Sequence, residues 1–391
     1  QDPFDTGGFA TSSLIWANTT TIGGIFASPQ CSPLFGANVI YLPYCSSDAF
    51  MSSATASPET FNMNFQGASI IDAVLNELLE THGLLEQTDT GNNDGSSDGE
   101  SDNNSNDDSE RPLLILSGYS AGGRGVMVNL DRVANQLKNR TEDGVDVYGV
   151  LDSVVWLETV NGLVTDKKNS TVLASDLYDI SAENIDPDCF QVHATELWKC
   201  IFSEFRLKFL ETPYTILGSQ NDLSLEEDTA NDFVTSPQDA VEEAESGRVI
   251  DSRSDIAEQT LGILIDLKEQ RPELTVYSPA CNTHTYTWST RFLDFVTNGD
   301  NSTTMRIAVE KGLEKAFGVA RPRIVDACPE VCNFSPFNGE AAGTEPRPFS
   351  FEDGFYFDRC EFGRSCGPCD FYEDAEVSGE AVMAAAQEAE E

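Results

Sequence analysis

Apolar residues along this chain follow two alternating spacings. Compact apolar runs stand at Ala37 to Pro43, around Ile115, and at Val147 to Val155, Thr212 to Leu217 and Leu274 to Ser278, as buried strands require. Between them the spacing widens to that of helices. From Gly67 to Leu85, Ile70, Ile71, Val74, Leu75, Leu78 and Leu79 fall on one stripe. After Ser120, the residues Val126, Leu130, Val133, Ala134 and Leu137 do the same, with Asn129, Asp131 and Arg132 between them. Leu197 to Phe209 and Ile256 to Leu267 read as further helices. Strands alternating with helices predict an α/β fold: a mainly parallel sheet with helices on both faces.

Two stretches break the pattern. Thr88 to Glu110 is almost wholly Asp, Asn, Ser, Gly and Glu, too polar to offset its ordering entropy by burial, and reads as a disordered acidic insertion over 88–110. Beyond Phe317, Pro, Gly, aromatics and five cysteines suggest a stapled appendage ending in a polar helix from Ala381 to Glu391. The expected organisation is one domain over 1–317 and a Cys-rich appendage with an acidic tail over 318–391. No internal repeat is visible.

Charge narrows the partners. The 23 basic and 66 acidic residues give a formal charge of −43, which repels nucleic acid and anionic membrane surfaces. No apolar run has the length needed to cross a bilayer. The sequence begins at Gln1 and shows no signal peptide, which reads as a processed product or a fragment.

Cysteines point to an oxidising compartment. They stand at 31, 45, 189, 200, 281, 328, 332, 360, 366 and 369, an even count that suits a disulfide framework, with Cys189 and Cys200 one candidate pair. Zinc is the weaker reading: Cys366 and Cys369 form a C-x-x-C without a second such pair, and Cys328 and Cys332 lack a nearby histidine. N-x-S/T triplets at Asn18, Asn103, Asn139, Asn169, Asn301 and Asn333 fit a secreted glycoprotein.

The chemistry concentrates at residues 113–123, Leu-Leu-Ile-Leu-Ser-Gly-Tyr-Ser-Ala-Gly-Gly, where an apolar strand runs into G-x-S-x-G and then a helix. A serine hydroxyl is a poor nucleophile until it is held exposed on a tight turn beside a base, and Gly118 and Gly122 give such a turn room. The base must come from three histidines. His82 closes a helix, where a cation complements the dipole; His193 lies in a segment bracketed by Cys189 and Cys200; His284 follows a late strand, the place of the base in the order Ser, Asp, His. Two acids qualify as its orienting partner. Asp222 follows a strand in a polar loop, whereas Asp152 sits inside an apolar strand where it could simply accept backbone hydrogen bonds; position favours Asp222. Ala121, directly after the serine, is the expected oxyanion donor, and no glycine-rich second donor loop is evident unless Gly7 and Gly8 are its remnant.

Several blocks carry a family resemblance. Ala37-Asn-Val-Ile-Tyr-Leu-Pro-Tyr-Cys-Ser-Ser-Asp48, Phe65-Gln-Gly-Ala-Ser-Ile-Ile71, Gly118-Tyr-Ser-Ala-Gly-Gly-Arg-Gly-Val126 with Asn129-Leu-Asp-Arg-Val133, and Pro279-Ala-Cys-Asn-Thr-His284 resemble the pectin acetylesterase and Notum family, closer to the Notum branch. The resemblance implies an α/β-hydrolase-like fold, a secreted carboxylesterase, and a triad falling on Ser120, Asp222 and His284, with no metal or organic cofactor. It also favours Asp222 over Asp152. Family members remove acetyl groups from plant-wall pectin or a fatty acyl group from a secreted signalling protein. Two departures stand out. The family's Gly-Gly-Gly-Trp-Cys stretch, whose backbone helps form the oxyanion hole, does not occur in this sequence, and Thr283-His284-Thr285 replaces the usual Ser-His-Glu.

The expectation is therefore a secreted serine carboxylesterase acting on an acylated glycan or an acylated secreted protein. The rival is an inactive hydrolase homologue that binds a glycan or other ligand. The acidic body disfavours polyanionic substrates such as de-esterified pectin.

Overall fold

The computed structural model describes residues 23–26, 32–34, 37–82, 84, 111–140, 144–160, 162–178, 180, 185–222, 224–225, 248–279, 284–288, 292, 304–318 and 354–357. Five strands form the main sheet: β1 (Leu113–Tyr119), β2 (Asp146–Asp152), β5 (Tyr214–Leu217), β6 (Thr275–Ser278) and β7 (Phe355–Phe357), in the order β1-β2-β5-β6-β7. Every pairing is parallel. A small antiparallel ribbon, β3 (Thr159–Val160) with β4 (Leu163–Val164), stands apart.

Helices cover both faces, as the alternation predicts. On one face, α1 (Gly67–Glu80), α2 (Ala121–Arg140) and α6 (Arg248–Gln270) place Leu75, Met127, Leu130, Val133, Leu137, Leu264 and Leu267 against Leu151, Ile216 and Val276. On the other, α7 (Met305–Phe317) packs Met305, Ala308, Val309 and Leu313 against Tyr148, Val150, Leu217, Tyr277 and Tyr356. Strand residues of alternating parity thus feed two cores, the arrangement expected of a sheet buried on both faces. Between β4 and β5 lie α3 (Asp166–Leu177), α4 (Pro187–Val192) and α5 (Ser203–Arg206).

Several sequence expectations are revised. Ala37 to Pro43 is not a buried strand: it belongs to no regular element and pairs with no described strand, leaving Val39, Ile40 and Tyr41 exposed. An apolar run signals burial only where a partner edge is within reach. The strand around Ile115 forms, but at the edge of the described sheet, so its residues are half-buried. Leu197 to Phe209 is a 3-10 turn, α5 and a second 3-10 turn rather than one helix. Phe355–Phe357, from the stretch read as an appendage over 318–391, pairs with β6 and buries Tyr356 completely, so this piece belongs to the main sheet. The acidic insertion over 88–110, Gly7 and Gly8, and the tail from 381 lie outside the described residues, as do all cysteines but Cys45, Cys189 and Cys200.

Asn129 and Asp131, read as ordinary polar positions on α2, are buried. The Asn129 amide donates to Phe50 O at 2.7 Å and Gly125 O at 2.8 Å. Asp131 accepts from Thr212 N at 2.8 Å and pairs with Arg206 at 3.2 Å, while Arg206 reaches Asp186 at 3.1 Å on its other side. These bonds clamp α2 to the loop before α1 and to the segment leading into β5. Nearby, Cys189 and Cys200 form a disulfide that staples α4 to the turn before α5.

Candidate active site

In register, Tyr119 pairs with Asp152, Asp152 with Leu217, and Leu217 with Tyr277, so these strands end at one level. The residues that follow, Ser120, Ser153, the loop to Asp222 and the loop to His284, therefore share the carboxyl end of the sheet. Open parallel sheets bind ligands at this end.

Ser120 sits between β1 and α2 with φ at +50°, a left-handed conformation costing a non-glycine residue about 1–2 kcal/mol. Crowding explains how the turn is made. A Cβ on Gly118 would come within 2.4 Å of Gly122 C and O, and one on Gly123 within 2.5 Å of Val154 Cγ1 and 2.8 Å of Asp152 O. A Cβ on Gly122 would meet no described atom within 4 Å, so among the described residues the crowding at the elbow falls on Gly118 and Gly123. Ser120 N donates to Asp152 O at 3.0 Å, which ties the elbow to the end of β2. Ala121 opens α2, so its N–H has no acceptor within the helix and lies in the field of a helix N-terminus.

His284 faces Asp222. Its Nδ1 lies 2.8 Å from Asp222 Oδ1 and 2.9 Å from Oδ2, with the carboxylate buried and the imidazole about a quarter exposed, at 27 %. Burial works to lower the histidine pKa, but the hydrogen bond and charge of Asp222, aided by the charge of Asp152, outweigh it and raise it above 6.5. Asp222 is set by its own loop, where its Oδ1 also accepts from Ser224 N at 2.9 Å. The loops after β5 and β6 are joined: Gln220 N reaches Pro279 O at 2.9 Å, its side-chain amide reaches Ser278 O at 2.9 Å, and Ser219 and Tyr286 hydroxyls bond each other.

Asp152 takes a different place. Fully buried, it accepts from Tyr286 N at 2.7 Å, Thr287 N at 2.6 Å, Thr287 Oγ1 at 2.8 Å and Ser153 Oγ at 2.9 Å. Burial raises its pKa despite these bonds. Ser153, itself at φ +55°, accepts from Thr285 N at 2.9 Å. The Asp152–Ser153 pair thus grips the residues directly after His284, while the Asp152 carbonyl grips Ser120. Ser120 and the residues that follow His284 are thus tied to the same end of β2.

The other two histidines stand elsewhere. His82 is exposed beside Glu77 at the end of α1, 3.8 Å from its carboxylate. His193 follows α4 within the stapled segment, its ring against Phe205 and Phe209. Among the described residues, no group of three or more His, Cys, Asp or Glu side chains could hold a metal ion.

Sequence patterns missed several residues here. Asp48 is buried and accepts from Gly67 N at 2.8 Å, Phe50 N at 2.9 Å, Ser52 N at 3.1 Å and Ser46 Oγ at 2.5 Å. It holds a loop in which Ser47, Ala49 and Phe50 all have positive φ. Gly125 of α2 packs against that loop, where a Cβ would meet Ala49 O at 2.8 Å. Arg124 and Trp156, stacked at 3.7 Å, lie one turn beyond Ser120 and just after β2; Arg124 falls inside the block Gly118 to Val126 that carries the family resemblance, but the sequence assigns neither residue a role.

The sequence profile of the pectinacetylesterase family matches residues 6–98 and 109–335, well over half of the chain. The chain belongs to the pectinacetylesterase family. Among curated relatives, the human palmitoleoyl-protein carboxylesterase NOTUM is 36% identical over 157 residues, 40% of this chain and 26% of that protein. The Drosophila melanogaster palmitoleoyl-protein carboxylesterase NOTUM is 30% identical over 208 residues, 52% of this chain and 27% of its own. The matched stretch thus spans only about a quarter of these relatives' length. The solved structure of the Wnt deacylase Notum from Drosophila superposes with a TM-score of 0.58, covering 79% of this chain and 78% of that one at 21% identity. That likeness shows the α/β-hydrolase-like fold of this pectinacetylesterase-family chain.

Proposed function

We propose that this chain is a serine carboxylesterase in which Ser120 attacks an ester carbonyl, His284 accepts the hydroxyl proton, and Asp222 orients and stabilises the resulting imidazolium. The proton passes from His284 to the departing alcohol, an acyl-enzyme forms on Ser120 Oγ, and a water activated by His284 releases the acid. The Ala121 N–H, at the start of α2, would donate to the tetrahedral oxyanion. The observation that carries the reading is the His284–Asp222 pair at 2.8 Å, with the residues after His284 held by Asp152, whose carbonyl also accepts from the N–H of Ser120, a serine strained to φ +50°.

The substrate is an O-acyl ester, acetyl or longer, on a glycan or a secreted protein. Family membership and similarity to palmitoleoyl-protein carboxylesterases support ester hydrolysis. Secretion is part of the proposal: the Cys189–Cys200 disulfide fits an oxidising compartment, and Asn139 and Asn169 of the N-x-S/T triplets are exposed.

Hydrolysis of p-nitrophenyl acetate and octanoate tests the reading, with labelling by a fluorophosphonate. Turnover and labelling should both vanish in Ser120→Ala. A wild type that neither reacts with the probe nor cleaves either ester would instead support the inactive, ligand-binding homologue.

A further inference from the structure

Three large apolar side chains stand exposed within the short stretch 163–173: Leu163 and Val164 of β4, and Leu173 of α3, the last with 74 % of its surface in water. The helix that carries Leu173 is firmly seated. Thr165 caps it by accepting from Lys168 N at 3.2 Å and donates to Leu157 O at 2.7 Å, while Val172 packs with the cluster of Trp156, Val160 and Trp198. The outward face of α3 is therefore fixed by the packing of its inward face. A single exposed leucine needs no cover, but several close together form a patch that favours association.

Asn169 stands among them. The exposed positions of α3 are Asp166, Asn169, Ser170, Leu173 and Asp176, whose spacing of three and four puts them on one face. Asn169 precedes Leu173 by four residues, so their Cβ atoms lie about 5–6 Å apart. Helical side chains lean toward the helix N-terminus, which tips Leu173 toward Asn169 and Asn169 toward the end of β4. Among the described residues the Asn169 side-chain amide makes no hydrogen bond. It also begins the triplet Asn169-Ser170-Thr171.

We infer that Asn169 is an N-glycosylation acceptor whose first sugars cover the patch of Leu163, Val164 and Leu173. The inference rests on the secretory part of the proposed function, because the sugar donor belongs to that compartment. In the transfer, Asn169 Nδ2 bonds to C1 of an oligosaccharide carried on a lipid diphosphate; the C1–O bond to the diphosphate breaks, the lipid diphosphate leaves, and the amide gives up one proton. Thr171 supplies the hydroxyl that the triplet requires. In the fold that hydroxyl is buried and donates to Lys167 O at 2.7 Å, so transfer precedes the packing of α3, and the exposure of Asn169 lets the folded chain keep the sugar. A sugar ring turns C–H groups toward apolar side chains and hydroxyls toward water. Being neutral, it shields the patch without adding to a formal charge of −43. Asn139, near the end of α2, is the natural contrast: it is exposed too, but its neighbours one turn back are Asn135 and Gln136, which need no cover.

The test uses the full chain, expressed in insect cells behind a secretion leader and mapped by mass spectrometry after amidase release of its glycans in heavy-oxygen water. Asn169 should be recovered as heavy-labelled Asp in wild type and in Thr171→Ser, and as unmodified Gln in Asn169→Gln. An unmodified Asn169 in the secreted wild type overturns the inference. Cover is read separately with Nile red, a neutral dye of apolar surfaces. Asn169→Gln should bind about twofold more dye than glycosylated wild type, Asn139→Gln should match wild type, and the increase should shrink when Leu173→Ser is combined with Asn169→Gln. Equal dye binding by wild type and Asn169→Gln overturns the covering role.

Where Asn169→Gln does not fold, enzymatic removal of the glycans from folded wild type and from folded Leu173→Ser gives the same comparison. Because the leader supplies entry to the pathway, the result at Asn169 does not depend on the chain's natural address. A natural precursor that is retained in the cytosol would refute secretion and leave the acceptor site standing.

Discussion

Asp222 presents both carboxylate oxygens to Nδ1 of His284, at 2.8 and 2.9 Å. The contact does two things: it fixes the ring so that its other nitrogen is free to face a reacting proton, and it raises the histidine pKa against the effect of burial.

The base must be neutral to act. Activity of the wild type should therefore fall as pH drops through a value above 6.5. Asp222→Asn removes the attraction that raises that value, so the acid limb of the kcat/KM profile should move to lower pH while the plateau falls by about three to four powers of ten. The stability contribution has the opposite pH sense. Since the folded pKa is raised, stability from the charged pair is fully present below the unfolded value of 6.5 and is lost as pH rises through the folded value. Denaturant melts of wild type and Asp222→Asn across this window would measure it; a constant difference between them would refute the linkage.

Asp152 should act through the backbone it holds. In Asp152→Asn, an amide donor can be turned toward Tyr286 N, Thr287 N or Thr287 Oγ1, each of which now donates to the carboxylate. Loss of these charge-assisted bonds should cost about 1–3 kcal/mol in urea melts. Because the Asp152 charge also favours protonated His284, the acid limb should shift downward in pH, a change that looser packing alone would not produce.

Gly118 and Gly122 should respond in opposite ways. Gly118→Ala drives a methyl into the Gly122 backbone at 2.4 Å, so the elbow must open and both stability and serine reactivity should drop. Gly122→Ala meets no described atom within 4 Å in a helix, where alanine is favoured by about 1 kcal/mol, so its Tm should hold or rise. Thermal melts and fluorophosphonate labelling of both variants would check the contrast.

Arg206 is wholly buried between Asp131 at 3.2 Å and Asp186 at 3.1 Å. Arg206→Met strands two carboxylates in the core and should cost about 3–5 kcal/mol. Arg206→Met combined with Asp131→Asn and Asp186→Asn should recover part of that loss in the same urea titration, because it removes the stranded charges.

Local pattern was enough for much of this. Helical and strand spacing established the α/β layering, Gly118-Tyr-Ser-Ala-Gly122 located the turn, and the presence of three histidines narrowed the proposed base to His284. These features repeat at short range, so they can be read from neighbouring residues. Ala37 to Pro43 shows the limit: its apolar run matches a strand, yet pairing depends on a partner edge far away in the chain. The roles of Asp152 and Asp222 had the same cause for ambiguity. Each is an aspartate at a strand end, and only the packing of four loops sends one to His284 Nδ1 and the other to the amides of Tyr286 and Thr287. Burial of Asn129 and Asp131 was invisible for a related reason, since a polar residue on a helix looks solvent-facing until its distant acceptors and donors are in place. Arg124 is the clearest case. Composition shows arginines outnumbered by carboxylates; the tertiary structure decides that none of the described carboxylates pairs with Arg124, whose guanidinium lies over the Trp156 ring instead.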